Sequence, residues 1–165
     1  ADGARTKILA VAEALEVRDA GLALADRIEA ELAEALAAVS GPAPRVMFVL
    51  SMQDGRVMAS GTGTAAAGII EMSGGVNAVD AFEGYRQMTD EAVLAANPDV
   101  ILMMDRGGDH AASDTDLFAH PALGLTNAAT TGNVVRINGL LLLGFGPRTP
   151  EAVVRLSQAL GMVEG

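Results

Sequence analysis

Cysteine is absent from this chain of 165 residues. Its absence removes disulfide frameworks, thiolate metal sites and cysteine nucleophiles together. Tryptophan is missing as well, and four Phe and one Tyr make up the aromatic content, although 50% of the residues are hydrophobic. The apolar content is therefore mostly Ala, Leu, Val and Met, which suits packed helices and sheet better than an all-β sandwich. No apolar run approaches the roughly 20 residues that cross a bilayer. Basic charge is scarce, with 11 Lys and Arg against 21 Asp and Glu and a formal net charge of −10. An acidic chain without a Lys/Arg-rich patch is a poor match for nucleic acid or an anionic membrane. Its charge suits plain solvation or a basic partner.

The pattern that is present describes an α/β protein. Residues 4–39 have helical spacing, with Ile8, Val11 and Leu15 on one face. After a weak break near Val17–Asp19, Leu22, Ala25, Ile28, Leu32 and Leu36 share another face. Ser40-Gly41-Pro42-Ala43-Pro44 stops the helix. The run VMFVL after Arg45 predicts a buried strand, Met52–Arg56 a turn, and Val57–Ala59 a short return strand. Gly84–Asp109 is the most informative segment. There Thr89 is set to cap a helix with Asp90 and Glu91 in its first turn, Asn97-Pro98 ends that helix, and VILMM is a second buried strand. It runs into the polar loop Asp105-Arg106-Gly-Gly-Asp109-His110. Short helical turns are expected over 113–130, a third strand over 133–137, an apolar loop over 139–147 and a last helix from Thr149-Pro150 to Leu160.

Strands alternating with helices predict a three-layer α/β body with a small, mostly parallel sheet flanked by helices. In such sheets ligands lie beyond the C-terminal ends of the strands. The loops 51–56, 105–110 and 138–146 should meet there, with Glu91 on the rim of the same end. A lone arginine between a strand end and two glycines makes Arg106 a candidate for a carboxylate or another anionic ligand atom, or else an ion-pair partner of Asp105 or Asp109. His110 lies in the same loop, whereas His120 precedes a proline and reads as structural. Gly61-Thr62-Gly63-Thr64 before a helix could hold an anion, but neither the P-loop nor the dinucleotide pattern is complete, and a tight turn is the plainer account. Neither the serines nor the carboxylates form an enzymatic constellation, so no enzyme is expected.

Three blocks, RVMFVLSMQDGRVMASGTGTAAAGIIEMSGGVNA, FEGYRQMTDEAVLAANPDVILMMDRGGD and VVRINGLLLLGFGPRTPEAV, together resemble the C-terminal lobe of the haem-binding periplasmic proteins of bacterial ABC importers. The resemblance covers nearly the whole chain. It implies a two-lobed periplasmic protein whose lobes are joined by a long helix and clamp haem, the transported ligand, between them. Residues 1–41 would then hold the end of the interlobe helix and the helix after it, 42–165 the C-terminal lobe, and the N-terminal lobe would lie outside this chain. By the same resemblance, Arg106 faces the haem, with Met52, His110 and Phe145 as further ligand contacts, and Glu91 docks on arginines of the membrane permease. Relatives with a histidine after the first strand gain an iron ligand there, where this chain has Met52-Gln53. An exposed interlobe face would offer a dimer contact. The alternatives are a siderophore- or cobalamin-binding lobe and a small nucleotide-binding α/β enzyme using the Gly61–Thr64 turn.

Overall fold

The computed structural model describes residues 2–105 and 112–162. The chain opens with two antiparallel helices, α1 (Asp2–Ala14) and α2 (Arg18–Ala38), that reverse at Leu15–Val17. Arg5 on α1 reaches Asp26 and Glu29 on α2 at 2.8 and 2.7 Å. Further along the pair, Ala12 lies against Gly21, where an added methyl would sit 2.2 Å from the Ala12 methyl. The missing side chain is what lets the helices close.

Beyond them lies a six-stranded sheet in the order β4-β2-β1-β5-β6, with β3 paired to β1 outside that path. The strands are β1 (Arg45–Gln53), β2 (Arg56–Ser60), β3 (Val76–Asn77), β4 (Tyr85–Gln87), β5 (Val100–Asp105) and β6 (Val134–Asn138). β1 is parallel to β3 and β5, and β5 to β6, while β2 runs antiparallel to both β1 and β4. The expected parallel core is therefore present, joined to an antiparallel hairpin. Asp54 and Gly55 turn that hairpin with φ of 51° and 71°, the pair of positive values that a two-residue turn requires.

The alternation of β1 divides its side chains between two cores. Val46 and Phe48 join Val100, Leu102 and Ile137 under α2, α3 (Ala65–Met72), α7 (Gly139–Leu143) and α8 (Thr149–Ala159). Met47 and Val49 join Ile101 and Met103 on the other face, under α4 (Asp90–Ala96), α5 (Asp114–Ala119), a 3-10 turn at Leu123–Leu125 and α6 (Asn127–Thr131). Each fully buried large side chain contributes roughly 1.5–3 kcal/mol, so the sheet with helices on both faces is the energetic centre of the fold.

Local signals explain the helix starts. Thr64, Thr89, Ser113 and Thr126 each accept the backbone N–H three residues ahead, satisfying a donor that the first turn would leave orphaned. Asn97 adopts a left-handed conformation with φ of 35° and ends α4 before Pro98. Three elements differ from expectation, one of them the two-residue strand β3, which no strand signal announced. Residues 139–143 are the helix α7 rather than loop, because Asn138 Oδ1 accepts from the amides of Leu140 and Leu141 at 3.1 and 3.2 Å. Gly139 does not break it: a methyl there would lie 2.8 Å from Met104 Sδ, so glycine allows the helix to sit on β5. Strand β4 is also new. Its three exposed residues carry no hydrophobic alternation and are ordered by pairing with β2.

Candidate functional site

The C-terminal ends of β1, β5 and β6 lie at one end of the sheet, called the exit end below. β1 and β2 extend past their neighbours there as a hairpin. A bulge between Val49 and Ser51 resets its alternation: Leu50 packs on the α2/α3 side, and Met52 rather than Ser51 packs on the α4/α5 side. Ser51, Gln53, Arg56 and Met58 are left facing the other way. With Gln87 of β4 they line a polar recess of about 200 Å³. Sequence reasoning did not single out Gln53, Arg56 or Gln87. The Asp54-Gly55 pair is the signal that sets Gln53 opposite Arg56.

Glu91 sits in the first turn of α4, exposed. Its own backbone N–H and the Thr89 hydroxyl hold its carboxyl below the usual carboxylate range. Among the described residues it takes part in none of the ion pairs. The neighbouring Asp90 Oδ1 lies 3.8 Å from His120 Nε2, and that nitrogen is 3.0 Å from the Gly55 carbonyl at the hairpin tip. The rim position expected for Glu91 is therefore the position found, beside the hairpin.

Arg106 and His110 lie outside the described residues. The segment that follows them is anchored: Arg136 of β6 pairs with Asp114 and donates to the Ala112 carbonyl at 2.9 Å. Met52 and Phe145 are not brought together, because they pack on opposite faces of the sheet. Phe145, at φ of 42°, reaches across to α3, where its Cζ is 3.5 Å from the place a methyl on Gly68 would occupy. It also closes one side of an apolar groove of about 420 Å³ lined by Ile8, Val11, Leu15 and Leu24 of the helical pair. Val11 and Leu15 are 59% and 66% exposed along it. Tyr85 is paired with Ser60 and set edge-to-face on Phe48 at 6.4 Å, well back from the exit end.

The Gly61–Thr64 turn is filled by the protein itself. A methyl on Gly61 would lie 2.0 Å from the Phe82 carbonyl oxygen, and the Glu83 carboxylate occupies the space beside Gly63. A loop with a carboxylate against its glycine repels phosphate. Among the described residues no group of three or more His, Asp or Glu could hold a metal ion, and no helix is long and apolar enough to cross a membrane.

Helices on both faces of a mainly parallel sheet, with an acidic rim and a polar hairpin at the exit end, define an α/β lobe. The profile of the family described as "Periplasmic binding protein" matches residues 1–139, and the chain belongs to that family. It is similar to the periplasmic haem-binding protein BhuT, solved with two haems, at 40% identity and a TM-score of 0.91 over 96% of this chain and 62% of that one. It is also similar to the periplasmic haem-binding protein RhuT from Roseiflexus sp. RS-1, at 32% identity and a TM-score of 0.89, over 96% of this chain and 62% of that one. A periplasmic haem-binding protein from Pseudomonas aeruginosa is 26% identical with a TM-score of 0.75, over 96% of this chain and 59% of that one. The chain thus spans less than two thirds of the length of these relatives. No curated protein sequence matches it.

Proposed function

We propose that this chain is the C-terminal lobe of the substrate-binding component of a haem ABC importer, a non-enzymatic periplasmic carrier that delivers haem to the membrane permease. The observation that carries the proposal is the 40% identity to BhuT across 96% of the chain, joined to the same backbone arrangement. In this reading residues 1–41 bring the end of the interlobe helix and the helix after it, and 42–165 form one jaw of the clamp. Of the two helices, α2 is the longer, with 21 residues, and its second half is held by the lobe core through Ile28, Leu32 and Ala35.

Haem lies at the exit end, with Arg106 meeting a propionate or the iron's oxygen ligand, and His110, Met52 and Phe145 as further contacts. Glu91 meets arginines of the permease, a charge-assisted contact that suits an exposed carboxylate with no ion-pair partner among the described residues. A second copy on the exposed interlobe face is a further proposed partner, to be read from the mass in solution.

Titration with haemin, followed by Soret absorption, tests the proposal. A two-lobed protein carrying this lobe should bind haemin tightly, and this chain alone should show a weak shift, because closure between lobes buries most of a ligand's surface. No spectral change in the two-lobed protein at micromolar haemin would remove haem and leave a siderophore or cobalamin chelate. The nucleotide-binding alternative is disfavoured by Glu83, which stands where a phosphate would have to lie.

A further inference from the structure

His120 is a buried titratable side chain that the proposed function does not use; its side chain is 5% exposed. Its surroundings define its state. Nδ1 receives the backbone amides of Ala122 and Leu123 at 3.2 and 3.3 Å. A nitrogen taking two N–H groups is an acceptor, so the ring proton sits on Nε2. That proton points to the Gly55 carbonyl at 3.0 Å, with Asp90 Oδ1 at 3.8 Å on the same side. The other charged groups nearby are already placed or flank the contact: Asp116 is bound to Ser113 on α5, while Asp54 and Arg56 stand on either side of Gly55. One imidazole therefore joins two separate elements, the start of the 3-10 turn and the tip of the β1–β2 hairpin, with the first residue of α4 beside them.

We infer that His120 is a positioning residue that pins the hairpin tip at the exit end to the 3-10 turn packed against α4, so that the ligand-side hairpin and this layer move as one body. Further back from the tip, the Met88 amide donates to the Val57 carbonyl at 2.9 Å. A two-residue turn projecting past its sheet neighbours would otherwise fluctuate more freely than the strands behind it. The link itself rests only on geometry; its use in transport rests on the proposed carrier function.

Two substitutions separate the two halves of the bridge. His120→Asn retains an acceptor at the Nδ1 position for the Ala122 and Leu123 amides but is too short to reach Gly55. His120→Gln keeps a donor at the Nε2 position. Amide hydrogen exchange on this chain should show the Arg56 and Val57 amides exchanging at least tenfold faster in His120→Asn, with Ala122 and Leu123 still protected, and near-native tip protection in His120→Gln. In wild-type protein, imidazole nitrogen NMR should show the Nε2–H tautomer, a reading that needs no variant to fold. Unchanged tip exchange in His120→Asn, or a proton on Nδ1, overturns the inference. Haemin gives the functional arm: shifts it induces in the hairpin amides should extend to the Ala122 and Leu123 amides in wild type and stop at the hairpin in His120→Asn. If haemin moves no hairpin amide in wild type, it is the haem reading that fails, and exchange and tautomer decide the link.

Discussion

The Arg45 amide donates to Asp99 Oδ2 at 2.9 Å, tying together the N-terminal ends of β1 and β5, on the side of the sheet remote from the exit end. Asp99 Oδ1 accepts from Asn127 Nδ2 at 2.9 Å, so one carboxylate joins both strands to α6. The Arg45 guanidinium meanwhile donates to the Ala96 carbonyl at 3.0 and 3.1 Å, capping the end of α4. This end of the lobe is a fixed base.

The Arg45 amide first, then the Asn127 side chain and the Arg45 charge, hold the Asp99 carboxyl below its usual range. A lowered value means that the unfolded chain binds the proton more readily. The stabilisation is complete above the ordinary carboxylate range and is lost as pH falls through the depressed folded value. Asp99→Asn should cost about 1 kcal/mol at neutral pH, near the low end for a hydrogen-bonded charge that stays partly solvated. Urea unfolding should show the gap to wild type closing as the medium becomes strongly acidic; a gap independent of pH contradicts the assignment.

Glu91 makes no contact on which the fold depends, so Glu91→Gln should leave stability within about 0.5 kcal/mol. Affinity for the permease complex should fall about tenfold or more, the loss of one charge-assisted contact, with haemin affinity unchanged. Because the carboxyl is held low by the Thr89 hydroxyl and its own amide, docking should persist as pH falls until that carboxyl is protonated. Equal loss of docking and haemin affinity would contradict separate sites.

Gly21→Ala should push α1 away from α2, since the new methyl and that of Ala12 cannot both fit. Overpacking of this kind costs typically 1–3 kcal/mol. The effect should be local: α1 amides lose protection in hydrogen exchange while the sheet keeps it, and Ala12→Gly in the same chain restores the pair. Uniform loss across the sheet would show that the helical pair is not a separable layer.

Gly61→Ala tests the turn before α3. The methyl meets the Phe82 carbonyl at 2.0 Å, backbone against backbone, so there is no side chain to swing aside. A loss of at least about 2 kcal/mol is expected, seen as a lower urea midpoint. Nucleotides should not raise the melting temperature of wild-type protein; a clear rise would revive the phosphate-site alternative.

The layers of the fold were legible because their signals are local. Thr64 and Thr89 cap the helices they precede, and VILMM after Asn97-Pro98 is buried on both faces as its unbroken apolar run requires. Elements defined by pairing or by one side chain's choice of partner were not. β4 has only three exposed residues to announce it, and α7 depends on Asn138 turning back to cap it. Of the candidate site, the rim position of Glu91 followed from the direction of α4. The separation of Met52 from Phe145 did not, because it depends on an irregularity in β1 that no periodicity reveals.

That irregularity has a consequence for how this lobe can change. At Leu50–Ser51 the strand carries one additional residue opposite β2, and the side chains between it and the hairpin tip keep the facing that a regular ladder would give them. Deleting Leu50 would leave Ser51 opposite Met58, Met52 opposite Val57 and Gln53 opposite Arg56 as they are now, in a regular ladder. The chemistry offered at the exit end is thus insulated from a length change of one in β1, because the irregularity absorbs it before the hairpin begins.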